Sequence, residues 1–278
     1  MNLRQIYFHW LLVLFPIIAK GQLYIGLNAG YHLPVAPQNL LSNSSIGISE
    51  SDQHAVIGSL GQGIHANGWI GIIRNKNLAF ELNALYQTSK SFSGSFIKDT
   101  SYQQNTKISG QVLNLAPVIR ISIAETPWFF KVGPICREAG DIKVHYETTE
   151  GMGSIVTKER WKYTRGFSMG AFASVGRTIK SSEHWSFTAE LCLMSQSWAP
   201  GRGRAVEYSI NGVNTISTLN PIEKEIQFEK EVQIQYKSRS EWESVKKLKQ
   251  TFPFSSIGIR LGFNFEFKHK EKNSGVEN

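Results

Sequence analysis

Near the end of the chain, Ile257, Ile259, Leu261, Phe263, Phe265 and Phe267 occupy every second position. Gly258, Arg260, Gly262, Asn264 and Glu266 fill the gaps. Successive side chains of a strand point to opposite faces. This segment therefore has one apolar face and one face of glycine, amide and charge. A soluble sheet could use such a strand once. Repeated along a chain, it predicts a closed barrel with hydrocarbon outside and polar groups inside.

The pattern does repeat. Leu23, Ile25, Leu27, Ala29 and Tyr31 oppose Gly26, Asn28, Gly30 and His32 in a strand over 22–33. A less regular strand is predicted over 65–74, where Trp69, Ile70, Ile72 and Ile73 crowd together. Leu78, Phe80, Leu82, Ala84 and Tyr86 oppose Glu81, Asn83 and Gln87. Over 108–123, Leu113, Leu115, Ile119 and Ile121 oppose Asn114, Arg120 and Ser122. Pro117 removes one ladder bond there and predicts a local distortion. Strands over 128–146, 163–179 and 184–198 continue the series. Connections at 34–64, 88–107, 147–162 and 199–253 are long, and those at 75–77, 124–127 and 180–183 are short. Strict alternation of long and short belongs to an up-and-down transmembrane barrel. Aromatic residues collect at both strand ends, with Trp128, Phe130, Trp185, Phe187, Phe265 and Phe267 by the short turns. Tyr31, Tyr86, Tyr146, Trp198 and Phe254 lie by the long connections. Two interfacial girdles are expected from them.

The fold class read from these features is all-β, an eight-stranded up-and-down antiparallel transmembrane β-barrel. Ten strands is the alternative, because Ile226, Phe228, Val232, Ile234 and Tyr236 also alternate with polar residues. Lys224 and Lys230 share that apolar face, and a lysine at mid-membrane costs about 2–4 kcal/mol. This stretch is therefore placed above the bilayer. Asn211-Gly212 is a hairpin turn signal, and Trp242, Val245 and Leu248 at threefold spacing give 241–250 helical character.

The first 21 residues read as an export leader. Arg4 precedes an apolar run from Leu11 to Ile18, and Ala19 and Gly21 place small residues before a cut at Gly21/Gln22. The run is short of the ~20 residues that span a bilayer. Residues 22–267 are assigned to the barrel and 268–278 to a polar tail. The formal charge of +8 loses Arg4 and Lys20 with the leader and stands at +6. An exported chain seldom meets nucleic acid, so basic loops are read as facing anionic head groups. Cys136 and Cys192 fall on non-neighbouring strands and opposite faces, which argues against a bridge.

Glu81, Arg120, Lys131, Arg137, Glu190, Arg260 and Glu266 take inward positions. A barrel this narrow has room for side chains to fill it, and its charges must pair. A structural polar network is the leading reading; an ion path or small ligand site are the others. Arg202 and Arg204 are candidate head-group contacts. His32 near the rim is where a lipid-modifying enzyme would need a base, but no serine is marked as its nucleophile. No histidine spacing marks a metal site, and the glycines at 58, 61 and 63 do not lie between a strand and a helix. No cofactor is expected.

With its leader ending at Gly21-Gln22, its amphipathic strands, Phe130-Lys131-Val132-Gly133-Pro134 and the closing Leu261-Gly262-Phe263-Asn264-Phe265-Glu266-Phe267, the chain resembles the small outer-membrane β-barrels of Gram-negative bacteria, the OmpA-like and PorT-like group. The resemblance implies an outer-membrane location and insertion by the barrel-assembly machinery, which reads a last strand ending in an aromatic. Here eleven residues follow Phe267, a departure from the usual end. Members of that group include anchors, adhesins, lipid-modifying enzymes and secretion parts, so fold does not set activity. The expectation is a monomeric, non-enzymatic barrel that binds an extracellular ligand or protein through 199–253. A transport or secretion barrel and a lipid-modifying enzyme are the alternatives, with a soluble secreted barrel as a further one.

Overall fold

A computed structural model of the chain describes residues 21–40, 52–54, 56–99, 101–151, 153–180, 182, 184–230 and 245–267. The leader and tail assignments lie on residues outside that set, apart from Gly21. Among the described residues no helix is long and apolar enough to cross a membrane, which says nothing of strands. Sixteen strands form one sheet, and a separate two-stranded sheet joins Gln38–Asn39 to Ile57–Gly58.

The sheet closes on itself. Its ring strands are β1 (Gln22–Pro34), β2 (Gly63–Asn75), β3 (Leu78–Ser89), β4 (Tyr102–Ser122), β5 (Trp128–Glu150), β6 (Ser168–Lys180), β7 (Trp185–Trp198) and β8 (Ser256–Glu266). Each pairs antiparallel with the next. β8 returns to β1 with Ile25 opposite Phe265 and Leu33 opposite Ile257. Closure removes the unpaired edge that an open sheet would expose to hydrocarbon. The turns at 76–77 and 123–127, the junction between Lys180 and Trp185, and both ends of the ring path lie at one rim.

Alternation fixes the two faces. Leu27, Ile259, Leu261, Phe187 and Val132 are each more than half exposed on the outside. Asn28, Glu81, Asn83, Lys131, Glu190 and Arg260 are buried on the inside. Near Pro117 the β4–β5 ladder jumps from Leu115 opposite Cys136 to Ile119 opposite Val132. Gly133 fills the gap: a Cβ there would come within 2.1 Å of the Pro117 carbonyl oxygen. A second irregularity, at Leu113/Asn114, leaves Glu138 as the extra residue.

β4 and β5 contain 21 and 23 residues. A transmembrane strand needs about 9–11, so roughly half of each rises beyond the band the others form. Phe92–Asp99 pairs with the upper part of β4, and Asp52–His54 pairs with it in turn. Ile155–Thr164 pairs with the upper part of β5. Arg202–Ile210, Glu225–Glu229 and Val245–Leu248 extend that side.

These strands correct several expectations. The connections at 88–107 and 147–162 are largely strand, because their threonines, phenylalanines and valines continue the ladders of β4 and β5. The strand expected over 163–179 is two strands. The chain breaks at Arg165 and Gly166, where φ is 59° and 80°. That break is held by Trp198 Nε1 donating to the Arg165 carbonyl at 2.8 Å and by Arg137 donating to the Gly166 carbonyl at 2.6 Å. The helical reading of 241–250 fails at Val245–Leu248, which runs parallel to Glu225–Glu229; residues 231–244 lie outside the described set, with most of the 226–236 alternation. Asn211 and Gly212 have φ of 48° and 82°, the conformation a type I′ turn requires.

The upper girdle is also corrected. Tyr31 and Tyr86 are exposed on the outer face, but Trp198 and Phe254 are fully buried. Trp198 follows the inward parity of β7. Both rings belong to an apolar core above the ring with Leu60, Ile108, Ile142, Val144, Tyr163 and Phe252, against which Tyr146 packs. The sheet therefore exchanges faces partway up. Below, apolar residues look outward and polar ones inward. Above, Ile108, Ile142 and Val144 look inward, and Lys107, Lys143 and Arg160 look outward.

Candidate functional site

Inward parity brings three of the candidate charges together. Lys131 Nζ lies 3.0 Å from Glu81 Oε2 and 3.1 Å from Glu190 Oε1, with all three side chains almost fully buried. Other donors reach the same carboxylates. Tyr24 Oη donates to Glu81 Oε1 at 2.5 Å, Asn83 Nδ2 to Glu81 Oε2 at 3.2 Å, and Ser174 Oγ to Glu190 Oε2 at 3.3 Å. Asn67 donates to Asn83 at 2.8 Å. The Trp69 ring covers the Lys131 ammonium at 4.3 Å.

Among the described residues the other candidates form no ion pair with this triad, although Arg120 lies over the Tyr24 ring at 5.8 Å and shares Phe129 with Lys131. Arg260 is opposite Glu190 in the β7–β8 register, yet its Nε donates to His32 Nε2 at 3.0 Å. Arg120 stacks on Phe129 at 4.2 Å and donates to Thr178 at 3.2 Å. Arg137 lies higher, over the Trp198 ring at 4.1 Å. Glu266 is at the opposite rim, where its backbone N–H donates to the His184 carbonyl. Arg202 and Arg204 are on the outer face of the upper sheet, and Arg202 is paired with Glu225.

Above the triad an apolar layer of Leu85, Val118, Ile135, Phe172 and Met194 crosses the lumen. Next comes a histidine layer. The His32 and His65 rings stack at 3.6 Å with planes 5° apart. Because arginine only donates, His32 Nε2 is an acceptor, and its proton sits on Nδ1, 3.0 Å from Ser256 Oγ. His65 Nε2 donates to the Gly61 carbonyl at 3.0 Å. Beside them Asn114 and Gln196 exchange amide bonds of 3.1 and 2.9 Å. His32 and Asn114 were legible as inward positions; Tyr24, His65, Gln196 and Ser256 were given no face by the sequence reading, and nothing in their spacing marked them as partners.

The mouth above is shut. The segment 56–62 lies across it, with Leu60 fully buried. Leu60 N–H donates to the Pro253 carbonyl at 2.8 Å, Ser59 Oγ to the Ser255 carbonyl at 2.8 Å, and Gln87 Nε2 to the Leu60 carbonyl at 2.9 Å. In the apolar core over this segment, burial pushes the phenols of Tyr163 and Tyr146 above the usual tyrosine pKa. Among the described residues no group of three metal-ligating side chains is present, and Cys136 and Cys192 are free thiols.

The chain is similar to the solid-state NMR structure of the outer membrane protein AlkL in DMPC lipid bilayers, at 11% identity and a TM-score of 0.30, covering 90% of this chain and 92% of that one. No family model matches the sequence, and no curated protein does.

Proposed function

We propose that the chain is an outer-membrane β-barrel whose eight ring strands cross the bilayer, and that its role is non-enzymatic binding at the cell surface through the sheet built by 199–253. One observation carries this reading: the exchange of faces along β4 and β5. Exposed Leu, Ile, Phe and Val rows around the lower ring suit hydrocarbon. The upper sheet, with apolar residues inside and charge outside, suits water. A soluble barrel would not leave a contiguous apolar band exposed around its ring, as Leu27, Ile70, Leu82, Ile119, Val132, Leu191, Ile259 and Leu261 are here.

A filled lumen under a shut mouth favours binding over conduction. His32 is poorly placed as a base toward Ser256, since its Nδ1 carries the proton and its other lone pair accepts from Arg260. The OmpA-like or PorT-like affiliation and a monomeric state belong to the same proposal. The test has two parts. Membrane fractionation with heat-modifiable gel migration should place the protein in the outer membrane as a closed barrel; recovery in the aqueous phase would refute it. In planar bilayers it should give no steady conductance, and a stable pore would favour the transport reading. Surface binding should be lost when 202–248 is replaced by a short turn.

A further inference from the structure

The outer face of the upper sheet carries a basic row that its own acids do not neutralise. Across three strands the register sets Lys143 directly opposite Lys162, and Lys162 directly opposite Arg204. The row above sets Lys107 opposite His145, and His145 opposite Arg160. Like charges directly opposite one another on a sheet are unfavourable. Two are relieved internally: Lys162 reaches Asp141 at 3.1 Å and Arg160 reaches Glu207 at 2.7 Å. Lys107, Lys143 and Arg204 are exposed and make no ion pair among the described residues; Arg204 stands opposite Glu225, whose carboxylate is bonded to Arg202 instead. His145 reports the resulting field. Burial, then Arg160, Lys107 and Lys143, hold its imidazole below the usual histidine pKa, against the pull of Glu207.

The height of the row points to its partner. Along the same face of β4 the outward residues run Ile121, Ile119, Leu115 and Leu113, then Gln111, Ser109 and Lys107. Tyr86 donates to Gln111 and Gln111 to Asp141, at 3.3 and 3.1 Å, which marks the top of the apolar band. Ser109, opposite Lys143, is four residues above Leu113, or about 13 Å along the strand. At a barrel tilt of about 40° that is roughly 10 Å of height for Lys143 and Arg204 and about 15 Å for Lys107, two residues further up, so the row forms a graded edge whose long side chains bend down toward the head-group layer.

We propose that Lys107, Lys143 and Arg204 form a docking surface for the phosphate groups of anionic membrane lipids in the leaflet beside this wall. The proposal rests on the transmembrane reading above. Its basis is charge complementarity and direct continuity with the apolar face below, so that one lipid meets both its acyl and its phosphate surface on the same strands.

The test refolds the full chain into vesicles of phosphatidylcholine alone and of phosphatidylcholine with phosphatidylglycerol, and reads co-purifying lipid by native mass spectrometry. The wild type should insert in both and retain phosphatidylglycerol preferentially. Each basic group near an anionic surface contributes about fivefold, so the combined Lys107→Gln, Lys143→Gln and Arg204→Gln variant should lose on the order of a hundredfold of that preference at low salt. The single variants should each lose about fivefold, and the wild-type preference should collapse at 1 M salt, where the screening length is about 3 Å. Failure of the wild type to insert would overturn the transmembrane reading and this surface with it. Insertion in both vesicles with equal lipid retention, or a preference the triple variant keeps, would overturn the surface alone.

Discussion

Replacing Lys131 with methionine removes the one ammonium shared by Glu81 and Glu190. At contacts of 3.0 and 3.1 Å and an effective dielectric near 20, each attraction is roughly 5 kcal/mol before desolvation is subtracted. Desolvation of three buried charges offsets most of that gain. Loss of a single partner is different, because the carboxylates stay buried without their cation; the expected cost is about 3–5 kcal/mol. Urea unfolding of the protein in lipid vesicles, followed by tryptophan emission, measures it, with Trp69 beside the altered site. A triple change to Lys131→Met with Glu81→Gln and Glu190→Gln replaces the whole network by neutral groups. It should recover most of the loss, since no buried charge is left unpaired and the amide oxygen at position 81 still accepts from Tyr24. A Lys131→Met barrel within ~0.5 kcal/mol of the wild type would refute the account, on the scale of an unremarkable surface change. So would a triple variant as weak as the single one.

Phe254→Ala opens a cavity in the core over the mouth and should cost about 3–5 kcal/mol locally. Limited proteolysis should then cut within 56–62 and 249–255 while heat-modifiable migration of the ring persists. Leu261→Arg puts a cation on the exposed apolar band, and vesicle refolding should show a loss of about 2–4 kcal/mol; no loss would put that face in water. The Arg202 side chain, hydrogen bonded to Glu225, holds that carboxyl below the usual glutamate range. The pairing is thus present at neutral pH and is lost as acid takes the solution down through the depressed value. Carboxyl-carbon NMR should show Glu225 titrating below an ordinary glutamate, and Arg202→Gln should return it.

The lower half of the molecule was legible because a strand with an apolar outer face and a polar inner one must alternate, and alternation survives in the letters. β1, β3, β7 and β8 could be drawn residue by residue, and so could the burial of Glu81, Lys131, Glu190 and Arg260. The upper half was not legible for a physical reason. There the apolar side is the inner one, and serine, threonine, asparagine and lysine fill the outer side. Segments such as 92–99 and 155–164 therefore resemble the polar loops that top many barrels. Trp198 and Phe254 show the cost of sorting aromatics by height alone: parity already turned Trp198 inward. Partnerships inside the lumen were hidden for another reason. His32 and Ser256 stand 224 positions apart in sequence, and only ring closure between the first and last strands sets them side by side.

β4 and β5 each run as one continuous strand from the short-turn rim into the upper sheet, with the Pro117 gap and the Glu138 bulge as local irregularities. No separate linker segment joins the two regions on those strands. A force exerted on the outermost ridge would therefore pass down the hairpin as shear shared among many parallel hydrogen bonds, rather than peeling them one by one. On the proposed reading, a ligand held at the upper sheet would load the same two strands that cross the bilayer.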